Sequence, residues 1–126
     1  MQTSLESPLQ QVRWLDLPGN PEGPRQLTYA ELGIHTPFEV LRVYWIHSLS
    51  AGEGRGRHAH RTGQQLLIAA NGGFRVRLDD GSASATYDLT DPGRALWIPG
   101  GLWREIDVLE NGSLLLVLAF KRFDES

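Results

Sequence analysis

The sequence predicts an all-β domain, a sandwich or barrel, on three observations. From Glu39 onward, short β-branched and aromatic segments alternate with turn signals at regular spacing. Asn71-Gly72, Asp80-Gly81 and Asn111-Gly112 are dipeptides that tolerate the positive φ angles of tight turns, and each is expected to join antiparallel strands. No window carries helical periodicity long enough to define more than a short helical turn.

Taken in order, residues 18–24 are rich in proline and glycine and read as a loop, and residues 27–30 as an early edge strand. In Val40-Leu41-Arg42-Val43-Tyr44-Trp45-Ile46 the period of two puts Val40, Arg42, Tyr44 and Ile46 on one strand face. An arginine on that face is partly buried and calls for an anionic partner. The stretch GRGRHAHRTGQQ follows, with His58 and His60 two apart and so on one face of a strand. Arg55, Arg57 and Arg61 alternate with them and are expected on the opposite face or in the bordering loop. Phe74-Arg75-Val76-Arg77-Leu78 alternates apolar and charged residues, so Phe74, Val76 and Leu78 point inward. Thr90-Asp91-Pro92-Gly93 is a turn; strands follow at 95–98, 103–108 and 113–120, with Pro99-Gly100-Gly101 between the first two.

At 126 residues the chain reads as a single domain spanning 1–126, with an N-terminal loop and edge strands over 1–36 and a barrel over 37–126. Its 40% apolar and 21% charged residues are globular composition. A net charge of −3 argues against nucleic acid or an anionic membrane as a partner, while leaving room for a local basic site. The absence of cysteine removes disulfides, thiolate catalysis and thiolate metal ligation, and fits a reducing, cytoplasmic setting. The opening MQTSLESPLQQ has no basic segment followed by an apolar run, so no signal peptide is expected, and the apolar run 114–120 is too short to span a bilayer.

The histidine pair and its surroundings resemble the two motifs of the cupins, small jelly-roll β-barrels (double-stranded β-helices). Gly52, His58 and His60 match the glycine and His-x-His of the first motif, with Gln64 or Gln65 where the family carries glutamate. Gly93, Pro99 and Gly101 match the second, with Arg104 in the place of its histidine. Two of the usual four metal ligands are thus replaced, one by a neutral amide and one by a guanidinium without a lone pair, so no metal is expected. Without a metal, the histidines become candidates for proton transfer near neutral pH.

A closer resemblance rests on an ordered series: Arg42-Val43-Tyr44-Trp45-Ile46, Arg55-Gly56-Arg57-His58-Ala59-His60-Arg61, Leu78-Asp79-Asp80-Gly81, Leu102-Trp103-Arg104-Glu105 and Phe123-Asp124-Glu125. It is similar to the WxcM-like cupins, the dTDP-4-keto-6-deoxyglucose 3,4-ketoisomerases of deoxysugar biosynthesis, over residues 37–125. Trp45 stands where that family pairs a second tyrosine. The resemblance implies a metal-independent enzyme without cofactor, a homodimer with exchanged N-terminal strands, and a nucleotide-sugar substrate. It further implies a carbonyl moved between neighbouring sugar carbons through an enediol. One of His58 and His60 takes the proton, His58 being the stronger candidate; Tyr44 relays a proton or donates to the enediolate, and Arg42 supplies positive charge. Arg61, Gln65 and Arg104 are candidates for binding sugar or diphosphate, and Trp97 and Trp103 for lining the pocket. A non-catalytic cupin binding a nucleotide sugar or small anion, and a cupin sugar epimerase, carry the same motifs.

Overall fold

A computed structural model of the chain describes residues 7–20, 22, 26–60 and 63–121, those of 55–60 as backbone only. Among the described residues, one short helix, α1 (Pro8–Gln11), precedes eleven strands: β1 (Arg13–Asp16), β2 (Gly19–Asn20), β3 (Leu27–Thr28), β4 (Arg42–Ile46), β5 (Gly54–His60), β6 (Gln65–Asn71), β7 (Phe74–Asp79), β8 (Ser84–Leu89), β9 (Arg94–Ile98), β10 (Leu102–Val108) and β11 (Leu114–Ala119). Ser7 caps α1 by accepting from the Leu9 amide, and its hydroxyl donates to the Asp80 carboxylate.

The strands form a five-stranded sheet of order β1-β9-β6-β11-β4, a four-stranded sheet of order β5-β10-β7-β8 and a small β2-β3 ribbon, all antiparallel. The inner faces of the two larger sheets share one core: Leu67, Ala69, Leu96, Ile98, Leu115 and Val117 from the first meet Phe74, Val76, Leu78, Leu102, Ile106 and Val108 from the second. The expected inward set of β7 is fully buried. A second apolar cluster, Leu66, Ile68, Ala95 and Leu118, lies on the other face of the five-stranded sheet, with Val40 and Trp97 against it. Val40 therefore does not share the inner face with Tyr44 and Ile46, because the chain enters β4 only at Arg42.

Only one of the three Asn-Gly and Asp-Gly turns closes a hairpin. Asp80-Gly81 joins β7 to β8, whose ladder runs from Phe74↔Leu89 to Asp79↔Ser84, and Gly81 takes the φ of +97° that such a turn requires. Asn71-Gly72 carries the chain from β6 to β7 and Asn111-Gly112 from β10 to β11, in each case from one sheet to the other. At Gly72, with φ +71°, a side chain would collide with Ser113, so the close approach of these two crossings depends on glycine. The early strand is shorter than residues 27–30 and belongs to the ribbon, while β1 pairs with β9 at the edge of the five-stranded sheet.

Candidate active site

The alternation of β10 buries Leu102, Arg104, Ile106 and Val108. Arg104 is 1% exposed, so a guanidinium sits among residues that are otherwise apolar. It is met from the opposite sheet by Gln65, 4% exposed on β6, whose Oε1 accepts from Arg104 Nη1 across the sandwich. Gln65 Nε2 in turn donates to Tyr44 Oη at 3.1 Å. β11 brings these last two together: it pairs Ala119 with both Arg42 and Gln65, and Val117 with both Tyr44 and Leu67. The Arg42 guanidinium lies 4.7 Å from the centroid of the Tyr44 ring, a cation–π contact. Four polar residues from three strands and two sheets thus meet in one place.

Burial pushes the Arg104 pKa down to about 10, against a smaller opposing influence from Tyr44. Its Nε and Nη2 are buried and have no hydrogen-bond partner among the described residues. A buried cation with two unused donors is costly in itself and strongly favours an acceptor-rich ligand. The same observation bears on metal binding. Where the cupin motif offers a histidine lone pair, this chain buries a positive charge, so the residues present do not fit a divalent ion.

The backbone of β5 runs alongside this cluster. His58 stands opposite Arg104 and His60 opposite Leu102, both inward positions of β10. Between Arg104 and Ile106 the register slips: Ile106 pairs with Arg55, so β5 carries one residue more than its partner, a β-bulge. The strict alternation expected for Arg55, Arg57 and the histidines therefore breaks within β5, and position 55 also falls opposite an inward residue. The side chains of His58 and His60, and all of Arg61, lie outside the described residues.

The tryptophans and the inward glutamine lie on different faces of their sheets. Trp97 turns to the outer cluster, where its Nε1 donates to Gln64 Oε1 at 3.0 Å. Trp103 is an outward residue of β10, 41% exposed, with its Nε1 on Glu105. Neither tryptophan lines the interior beside Tyr44 and Arg104, because both sit at strand positions of outward parity. Of the two glutamines, Gln65 is the inward one, and its amide bridges Tyr44 and Arg104. The coupling of Gln65 to Arg104 had a signal: both occupy metal-ligand slots of the cupin motifs, and ligand slots converge on one point.

A cavity of about 700 Å³ lies elsewhere, on the outer side of the five-stranded sheet, walled by Val43, Ile68, Leu116, Leu118 and residues 28–30 and 32. Among its described lining residues Asp91 is the one charged side chain, and no cation faces it.

A family model described as FdtA: WxcM-like, C-terminal matches residues 10–126. A TDP-4-oxo-6-deoxy-alpha-D-glucose-3,4-oxoisomerase from Aneurinibacillus thermoaerophilus is 36% identical over 90 residues, which are 71% of this chain and 65% of that protein, just under two thirds of its length. Among solved structures, QdtA, a sugar 3,4-ketoisomerase from Thermoanaerobacterium thermosaccharolyticum in complex with TDP, superposes with a TM-score of 0.86 at 33% identity, over 92% of this chain and 85% of that one. The WlaRB TDP-quinovose 3,4-ketoisomerase from Campylobacter jejuni gives 0.84 at 32% identity, over 93% and 90%. The shared architecture is the cupin jelly roll expected from the sequence.

Proposed function

This chain belongs to the WxcM-like, C-terminal family of FdtA, and on that premise we propose that it is a metal-independent sugar-nucleotide 3,4-ketoisomerase of deoxysugar biosynthesis. Its substrate on this reading is a dTDP-4-keto-6-deoxyhexose. The observation that carries the reading is the interior cluster of Arg42, Tyr44, Gln65 and Arg104 beside the histidine positions of β5. Relatives of similar fold are 3,4-ketoisomerases, and QdtA is known with TDP.

The reaction takes the proton from sugar carbon 3, forms an enediol whose oxygens sit on carbons 3 and 4, and returns a proton to carbon 4. The hydroxyl proton on oxygen 3 is released as that carbon becomes the carbonyl, and oxygen 4 gains one, so the isomer has the same atoms. His58 is the base at carbon 3, and His60 orients the sugar or returns the proton at carbon 4. Tyr44 donates to the oxygen on which enediolate charge develops, and Arg42 and Arg104 supply fixed positive charge in a water-poor interior, where such charge is most effective. Arg61 is assigned to the diphosphate.

The protein acts in the cytoplasm as a homodimer on this reading. Among the described residues no helix is long and apolar enough to cross a membrane. Val43 and Trp45 are exposed on the outer face of edge strand β4, and Leu32 is exposed beside the cavity on that side of the sheet. This apolar face is continuous with an unpaired sheet edge and carries few charges, which suits a second copy of the chain. β1, at the other edge, is the strand that an exchange between copies would move.

Incubation with dTDP-4-keto-6-deoxyglucose in deuterated water, followed by NMR at carbons 3 and 4, tests the assignment. Carbonyl transfer with deuterium at carbon 4 is expected. Exchange with inversion and no carbonyl transfer would make the protein an epimerase, and binding with neither would make it a non-catalytic cupin.

A further inference from the structure

From the hydrogen-bond directions in the interior we infer that Gln65 is a positioning residue that aims the Tyr44 hydroxyl hydrogen at the substrate. The inference rests on the ketoisomerase reading above for its chemistry, though not for its geometry. Arginine has donors and no acceptor, so the Gln65 atom that meets Arg104 Nη1 is the carbonyl oxygen. That fixes the orientation of the amide, which is otherwise ambiguous, and places Nε2 against Tyr44 Oη at 3.1 Å. An amide nitrogen only donates. Tyr44 Oη is therefore the acceptor in that bond, and its own hydrogen is left for another partner.

The consequence is a directed chain, Arg104 to Gln65 to Tyr44, that starts at a buried positive charge. Each bond polarises the next in a low-dielectric interior, so the Tyr44 hydroxyl is a stronger donor than an isolated phenol. An oxygen that gains negative charge during enolisation is the acceptor such a donor serves best. Gln65 itself need not touch the sugar, since both ends of its amide are engaged.

Gln65→Glu tests this with almost no change in shape. The new carboxylate still accepts from Arg104, but its second oxygen can also only accept, so it captures the Tyr44 hydrogen and reverses the last bond. The expected result is a kcat lower by on the order of 10²-fold, the low end of a positioned acid–base contribution, with KM and dTDP affinity near parental. In a Tyr44→Phe background the same substitution should cost almost nothing further, because both changes act through one hydroxyl. A rise in KM alone, or full multiplication of the two losses in the double variant, would show that Gln65 binds substrate directly and would overturn the inference.

Two substrate-free measurements separate this inference from the functional one. In protein labelled at tyrosine Cζ, the resonance that Tyr44→Phe removes should move in Gln65→Glu while those of Tyr29 and Tyr87 stay. In the parental protein, the Gln65 side-chain NH2 should be protected from exchange and lose that protection in Tyr44→Phe, a test that survives even if Gln65→Glu fails to fold. An unmoved Tyr44 resonance, or an unprotected amide, sinks the relay whatever the turnover. A responsive resonance in a protein that moves no carbonyl sinks the ketoisomerase reading and leaves the relay standing.

Discussion

Replacing the buried polar bridge by hydrocarbon, as Arg104→Met with Gln65→Leu, should make the ligand-free protein more stable while abolishing its chemistry. The magnitude follows from the cation. Burial holds its pKa down to about 10, well below the ordinary guanidinium range, so the folded state disfavours the charged form. The sign is that of a depressed basic group: the cost is fully present below about 10, and is relieved as pH rises from there towards the unfolded value. At 1.36 kcal/mol per pKa unit the cost at neutral pH is roughly 3 kcal/mol. The double variant also gives up the charge-assisted bond between Arg104 and Gln65, about 1.5 kcal/mol, and the Gln65–Tyr44 bond, about 0.5–1 kcal/mol. A net gain on the order of 1 kcal/mol remains, which for a domain of this size raises Tm by roughly 3–5 °C. Arg104→Met alone should gain less, because it strands the Gln65 carbonyl without a donor at a cost of about 1–3 kcal/mol. Thermal denaturation by circular dichroism at pH 7, without ligand, reads all three proteins. A double variant that melts at or below the parental temperature would refute the view that Arg104 is a strained cation kept for function.

His58→Asn should keep the fold and dTDP affinity and lose turnover by at least on the order of 10²-fold, since a neutral amide cannot take the carbon 3 proton near pH 7. Parental turnover in that variant, alongside an inactive Tyr44→Phe, would move the role of base to Tyr44. Trp45→Asp puts a charge where a side chain is 58% exposed on the outer face of β4. Sedimentation should show a parental dimer turning into a monomer, and a variant that remains dimeric would place the interface elsewhere.

Much of the site was legible because strand parity is a local property. Arg42 and Tyr44 share a face by counting alone, and so do Leu102, Arg104 and Ile106. In β5 counting alone does not carry through the strand, because one extra residue between His58 and Arg55 shifts the backbone register, and no composition signal marks that slip. It was silent on Gln64 against Gln65, since choosing between adjacent glutamines needs the register of β6 against β9 and β11. The tryptophans face away from that cluster for a different reason. Ring size argues for contact with something apolar, and Trp97 finds that contact on the outside of its sheet. The Asn-Gly pairs report a backbone that can turn tightly, not which strand lies beyond the turn, so two of the three proved to be crossings between sheets.

Those crossings bear on how fast the chain can reach this structure. Within the two large sheets, and among the described residues, β7 and β8 are the one consecutive pair of strands that also form a ladder. Every other ladder joins distant segments, as where Trp14 meets Leu96 and Trp45 meets Leu116. Chain entropy must be surrendered to bring such segments together before any contact between them is rewarded. A topology of this kind belongs with slow two-state folders, on the order of milliseconds to seconds, and makes the β7–β8 ribbon the one piece of either sheet able to form ahead of the rest.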